Sequence, residues 1–189
     1  MTEGTLHRED WARAALDAMA AGGVSAVKVE MLAPTLGASK GSFYWHFADR
    51  ADLIEAAVAL WEESETEAII ESLADADDPR DRLRRLFSII FVNPELGTAD
   101  AALIAARDQP VIVEALRRVT DRRVGFIRDA FVGLGFAEDD AERRALYTHG
   151  LYLGLVVVRR ANASAVPTSG SAEAFADDLL DVLTAPATG

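Results

Sequence analysis

Apolar residues recur at helical spacing almost from the start of this chain. From Glu9 onward, Trp11, Ala14, Ala15, Ala18 and Met19 follow the i, i+3, i+4, i+7, i+8 rhythm of one helix face, and Gly22-Gly23 stops the run. Met31, Leu32 and Leu36 mark the buried side of a second, short helix, which Gly37 can end in the left-handed conformation without a Cβ clash. Ser39 suits the N-cap of a third helix. Phe43 and Phe47, four residues apart, pin that helix to its neighbours and leave Lys40, Gly41, Ser42, Tyr44 and His46 on or near an exposed side. Asp49 then caps a long fourth helix with Leu53, Ala57, Leu60 and Trp61 as its buried stripe. Glu62, Glu63, Glu65, Glu67 and Glu71 lie mostly outside that stripe. Extended to Leu73, this helix has about 24 residues and spans roughly 36 Å at 1.5 Å per residue.

The same rhythm continues. Asp75-Ala-Asp-Asp-Pro79 is a break whose proline is permitted in the first turn of the next helix, where Leu83, Leu86, Phe87 and Ile90 form the stripe. Asn93-Pro94 ends it, and Thr98 caps a short helix running through Leu103 and Ile104 to Arg107. Asp108 caps another, with Pro110 in its first turn and Ile112, Leu116, Val119, Phe126 and Ile127 facing inward before Gly133-Leu-Gly135. A further helix begins at Asp139 or Asp140 and ends near Arg160. A loop of small residues from Ala161 to Gly170 holds Pro167, and Ser171 caps a last helix with Phe175, Leu179, Val182 and Leu183 on one side. No segment alternates as a half-buried strand does, so the expected fold is all-α, with about nine helices and no sheet.

Residues 29 to 47 thus form a helix-turn-helix with a polar, hydroxyl-rich reading face. The run Leu36-Gly-Ala-Ser-Lys-Gly-Ser-Phe-Tyr-Trp-His-Phe47, followed by Asp49-Arg50-Ala-Asp-Leu53, resembles the DNA-binding domain of the tetracycline-repressor (TetR) family. The resemblance is specific over residues 8 to 60 and one of layout beyond. Two departures stand out: Lys28 occupies the place of the family's usual capping threonine, and Pro34 lies inside the first helix of the motif. The resemblance implies a helix-turn-helix DNA-binding domain at residues 1–50 and a helical ligand-binding and dimerisation domain at residues 51–189. It further implies a homodimeric repressor on a near-palindromic double-stranded operator, released by a small-molecule effector.

Chemistry and resemblance together assign the reading face. Lys40 and Ser42 lie near the helix end that reaches base edges in such dockings, lysine suiting guanine O6 or N7 and serine several bases or a phosphate. Gly41 permits close approach, while Tyr44, Trp45 and His46 are expected to donate to phosphates. Arg50 adds a charge beside the free amides of the fourth helix's first turn.

Net charge complicates this picture: the 189 residues carry −12. Its distribution answers part of the objection. Residues 1 to 50 hold five basic and six acidic side chains, for −1, so the remaining 139 residues hold −11. Screening beyond about 8 to 10 Å makes a distant acidic domain cheap. The reading face must nonetheless rely on shape, backbone amides and hydroxyls as much as on charge. Arginines 80, 82, 84, 85, 117, 118, 122, 123 and 128 alternate with Asp81, Glu114, Asp121 and Asp129 at spacings that favour helical ion pairs over a second nucleic-acid surface.

Other chemistries find little to work with. There are no cysteines, which excludes thiolate sites and fits a cytoplasmic protein, and three singly placed histidines supply no metal-ligand spacing. No cofactor, catalytic or metal residue is expected. Gly37-Ala-Ser-Lys-Gly41 matches the G-x-S-x-G elbow of serine hydrolases, but that motif needs a preceding strand. No signal peptide is visible, and the longest uncharged run, Ala145 to Val158, is 14 residues, too short to span a bilayer.

That run is apolar on nearly every side from Leu151 to Val158, which suits either a central core helix or an interface. The resemblance favours a dimer interface involving Leu151, Gly154, Leu155, Val158, Phe175, Leu179 and Val182, with Gly150 and Gly154 letting a second backbone approach. For the effector, Trp61, Phe87, Phe91, Leu103, Phe126, Tyr147 and Tyr152 are candidate wall residues, with Arg107 or His149 as polar anchors. Two rival readings are a helical interaction module without DNA binding and an enzyme in the C-terminal half.

Overall fold

The computed structural model describes residues 6–93, 95–166 and 170–185. Its helices are α1 (Arg8–Gly22), α2 (Val29–Thr35), α3 (Lys40–His46), α4 (Arg50–Glu62), α5 (Ala68–Ser72), α6 (Pro79–Val92), α7 (Thr98–Ala105), α8 (Pro110–Gly133), α9 (Glu138–Ala161) and α10 (Gly170–Thr184). There is no strand among the described residues. A π-helical stretch, Glu63–Glu67, joins α4 to α5. Counted as one element of the chain, the two bring the described helices to nine, and the all-α expectation holds.

The chain separates into two compact units, Met1–Glu65 with Thr98–Arg118 and Thr66–Gly97 with Val119–Gly189. In the first, α1 packs against α4 and α7. Trp11, Ala15 and Met19 are buried as their spacing predicts, joined by Ala12 and Leu16. Ile54 and Val58 extend the stripe of Leu53, Ala57 and Trp61, whereas Leu60 is only half-buried. Trp61 Nε1 donates to the buried Asp100 carboxylate at 3.3 Å, and Arg118 grips Glu62 with two bonds of 3.1 and 2.8 Å.

The second unit is built around Leu73, Leu83, Phe87, Phe91, Ile127, Phe131, Ala145 and Leu180. Asp78 caps α6 by accepting from the Arg80 amide at 3.0 Å, with Pro79 in the first turn. Arg84 pairs with Asp177 at 2.8 Å and Arg80 with Asp181 at 2.5 Å, so these arginines clamp α10 to α6. The mixed-sign reading of the arginine-rich helices therefore holds, with several pairs running between helices. At the α9 start the expected caps shift: the helix begins at Glu138, and Asp140 sits inside it, paired with Arg144 at 3.0 Å. Asp108 stands two residues before α8, which opens at Pro110. Pro94, Pro167 and the Ser171 side chain lie outside the described residues.

The π stretch is the main departure from the continuous fourth helix expected from sequence. Its Thr66 is buried, and Arg123 Nε donates to the Thr66 hydroxyl at 2.9 Å. The added residue of a π turn resets which side chains face inward. No apolar periodicity announces it, because the partner that holds it lies 57 positions away.

Candidate nucleic-acid interface

Each joint of the helix-turn-helix is closed by a local device. Lys28 occupies the N-cap of α2 in an extended conformation without a side-chain bond, so the missing threonine cap is not replaced. Pro34 sits one residue from the helix end, where the hydrogen bond it removes costs little continuity. The Ala38 amide donates to Ala33 O at 2.8 Å and the Gly37 amide to Pro34 O at 3.1 Å. That is a Schellman closure, with Gly37 at φ 63°, as the sequence predicts. Ser39 then caps α3 through the Ser42 amide at 3.2 Å. The hydroxyl of the G-x-S-x-G pentapeptide is thus a helix cap.

Packing orients α3. Phe43 stacks on Phe47 at 5.4 Å and meets Trp11 edge-on at 5.4 Å, all three being buried. Opposite them, Tyr44 is 65% exposed and Trp45 89%. Lys40 and Gly41 are exposed, and Ser42 and His46 half-buried. A Cβ on Gly41 would meet only Ser39 Oγ, at an ordinary 3.5 Å. The space inside the fold would therefore accept a side chain at this position. Met31 departs from expectation: it is 65% exposed, with Leu36 half-buried, and Leu32 with Ala33 makes the inward face. A seven-residue helix turns too few times for a three-residue spacing to settle its inner side.

Polar contacts lock the far end of α3. Arg8 donates to the His46 carbonyl, pairs with Asp52 at 2.5 Å and lies 4.2 Å above the Phe47 ring. Asp52 also accepts from the Ala48 amide at 3.0 Å, while Asp49 caps α4 through the Asp52 amide at 3.0 Å. The Arg8 hydrogen bond, with help from the Ala48 amide, holds the Asp52 carboxyl below its ordinary range. Arg50 Nε and Nη2 donate to the carbonyls of Val27 and Val24, both at 2.6 Å. Its guanidinium therefore ties the loop before α2 to α4, leaving Nη1 outside these bonds. On α3 itself, Lys40 Nζ lies 2.8 Å from Glu30 Oε1. That hydrogen bond lowers the carboxyl pKa of Glu30 and raises the ammonium pKa of Lys40.

The sequence profile described as bacterial regulatory proteins, tetR family, matches residues 12–57. That segment is a TetR-family domain. Solved structures extend the likeness to the whole fold. A Rhodococcus sp. protein described as a TetR-family transcriptional regulator is 24% identical, with a TM-score of 0.72, covering 94% of this chain and 98% of its own. A transcriptional regulator from Rhodococcus sp. Rha1 is 19% identical, with a TM-score of 0.78 over 95% and 94% of the two chains. A Saccharomonospora viridis transcriptional regulator, solved in complex with choline, is 18% identical, with a TM-score of 0.79 over 92% and 95%. Comparison with curated proteins gives no match. The chain has the fold of a DNA-binding regulator, and no described helix is long and apolar enough to cross a membrane.

The candidate effector residues are divided between the two units. Phe87, Phe91 and Tyr152 meet around a cavity of about 10 Å³, with Ile90, Thr148, Leu151, Leu155 and Leu179, at the lower limit for one water. His149 is buried, its ring 6.1 Å from that of Tyr152, and Phe126 packs against the second unit's core. Trp61 and Leu103 are buried in the first unit, and Arg107 is exposed there. Tyr147 is 62% exposed, on a different side of α9 from Thr148 and Tyr152, and does not line this cavity. Ile90, Thr148, Leu151, Leu155 and Leu179 line the same cavity without having been candidate wall residues.

The candidate interface residues divide in a similar way. Leu151, Leu155 and Leu179 line the cavity, and Phe175 meets Phe91 edge-on at 4.8 Å. Gly154, Val158 and Val182 are exposed, the last by 70%. Leu146, Tyr147, Gly150 and Val157 lie with Gly154 and Val158 on the same exposed side of α9.

Proposed function

We propose that this protein is a ligand-responsive transcriptional repressor that binds a near-palindromic operator as a homodimer and leaves it when a small molecule binds. The observation that carries the reading is the split face of α3. Phe43 and Phe47 anchor it inward while Lys40, Gly41, Tyr44 and Trp45 face solvent, in a segment matched by a DNA-binding family. Lys40, Gly41 and Ser42 meet base edges, and Tyr44, Trp45 and His46 meet phosphates. Arg50 reaches the backbone through Nη1 and the second N–H of Nη2, its Nε–H and one Nη2–H being held by Val27 and Val24. Two such helices in one dimer enter successive major grooves about 34 to 36 Å apart.

Dimerisation is supported by the exposed apolar side of α9, where Gly150 and Gly154 have open space above them, and by Val182 on α10. The apolar cavity of Phe87, Phe91 and Tyr152, beside His149, is the place where an effector would enter, expanding it. The choline-bound relative supports a small-molecule effector in this fold. A differential affinity of about 1 to 3 kcal/mol is enough to change operator occupancy 5- to 150-fold.

Selection of bound duplexes from a random pool tests the reading, with Lys40→Ala plus Tyr44→Ala as control. Recovery of a near-palindrome by the wild type and not the control is the expected result. Recovery of nothing above background at low salt, from folded protein, sinks it.

A further inference from the structure

One ion pair joins the two helices of the reading motif across their exposed side. Lys40, the first residue of α3, places Nζ 2.8 Å from Oε1 of Glu30, the second residue of α2. Both side chains are well exposed, at 59% and 64%. An exposed pair of this kind adds little to folding. The two helices are already joined by the Gly37 closure and the Ser39 cap. A carboxylate on a DNA-facing surface is also repelled by phosphates, so its presence beside the leading lysine of the reading helix calls for a use.

Hydrogen-bond inventory supplies one. With one N–H given to Glu30, the Lys40 ammonium keeps two more, and Glu30 keeps Oε2 as an acceptor. The pair thus presents donors and an acceptor side by side. A G·C base pair displays the complement in the major groove: guanine O6 and N7 accept, and cytosine N4 beside them donates. An A·T pair places its donor between its acceptors and offers lysine no two neighbouring acceptors on one base.

We propose that Glu30 and Lys40 act as one unit that reads a G·C pair in each half-site, Lys40 donating to guanine O6 and N7 and Glu30 accepting from cytosine N4. This assignment rests on the DNA-facing reading of α3. Glu30 holds the lysine away from the phosphates, so that a general cation becomes a base reader in a region whose net charge contributes little attraction.

The test measures affinity, at one salt concentration, for the selected duplex and for every single base-pair replacement in it. Wild type is expected to prefer G·C at one symmetry-related pair of positions by about tenfold or more, the discrimination a good bidentate contact gives. Glu30→Ala and Lys40→Gln are each expected to flatten that preference to about threefold or less, relative to that contact, and to leave other positions unchanged. The proposal is overturned if Glu30→Ala keeps the wild-type preference at every position. It is equally overturned if Glu30→Ala binds all duplexes more tightly with a steeper salt dependence, for then Glu30 only repels phosphates. A large fall in melting temperature on Glu30→Ala makes the pair a folding element and also overturns it. A wild type that selects no duplex overturns the DNA-reading function itself, a result distinct from a reader whose preferences ignore Glu30.

Discussion

Arg8 and Asp52 lie 44 positions apart and meet at 2.5 Å, and the pair sets the end of the reading helix through the His46 carbonyl and the Ala48 amide. Because the folded Asp52 carboxyl is held below its unfolded value, its ionised form favours the folded state. That contribution is complete above the unfolded pKa of about 3.9 and is lost as pH falls through the lower folded value. Asp52→Asn is therefore expected to melt below wild type at neutral pH, with the gap closing in acid below about pH 4. A gap that stays constant between pH 7 and pH 2 would show that Asp52 acts through shape alone. The four-residue spacing singled out Phe43 and Phe47 as buried, and residue type singled out Ser39 as a cap, because a helix face and a cap are both set within about one turn. Arg50 looked like a phosphate ligand, and only the fold revealed the Val24 and Val27 carbonyls that take two of its donor groups.

Helix ends were the most legible elements. Gly37, Ser39 and Asp49 do what their side chains and offsets predict, since a cap is closed by amides two or three residues away, and Asp78 closes the start of α6 by the same device. Gly97 shows what a local reading misses. It has φ 84°, and a Cβ there would lie 2.5 Å from Val156 Cγ2 and 2.7 Å from the Tyr152 hydroxyl. The glycine thus serves α9 as well as its own turn. Gly97→Ala is expected to cost more than about 1 kcal/mol in denaturant unfolding, because strain and overlap add. An unchanged midpoint would mean that the turn before α7 adjusts freely. The π stretch escaped prediction for a similar reason: Thr66 is a weak signal until Arg123 reaches it from α8.

At the scale of the whole molecule, the exposed row of Leu146, Tyr147, Gly150, Gly154, Val157 and Val158 is unusual for a protein that works alone. Val157→Arg with Val182→Glu is expected to halve the mass seen by sedimentation at micromolar concentration and to abolish selection of a palindrome, with helicity retained. A double variant that sediments as wild type would move the interface elsewhere. The sequence identified α9 as interface or core, and α9 divides along its length: Ala145, Thr148, Tyr152 and Val156 are buried, while the opposite row is exposed. Charge belongs to this scale too. The near balance of five basic and six acidic side chains in residues 1 to 50 gives little general attraction to DNA, so the proposed reading leaves selectivity to a few side chains of α2 and α3.

The helical class, the turn chemistry and the ends of α3 were legible along the chain, because period, glycine conformation and caps are properties of a few adjacent residues. Tertiary structure decided the rest. It showed Met31 exposed and Leu32 buried, took two of the Arg50 donor groups for the loop, bent the fourth helix's register with a π turn, and drew Phe87, Phe91, Thr148 and Tyr152 to one cavity. These outcomes depend on which distant surfaces meet, and no period along the chain encodes that meeting.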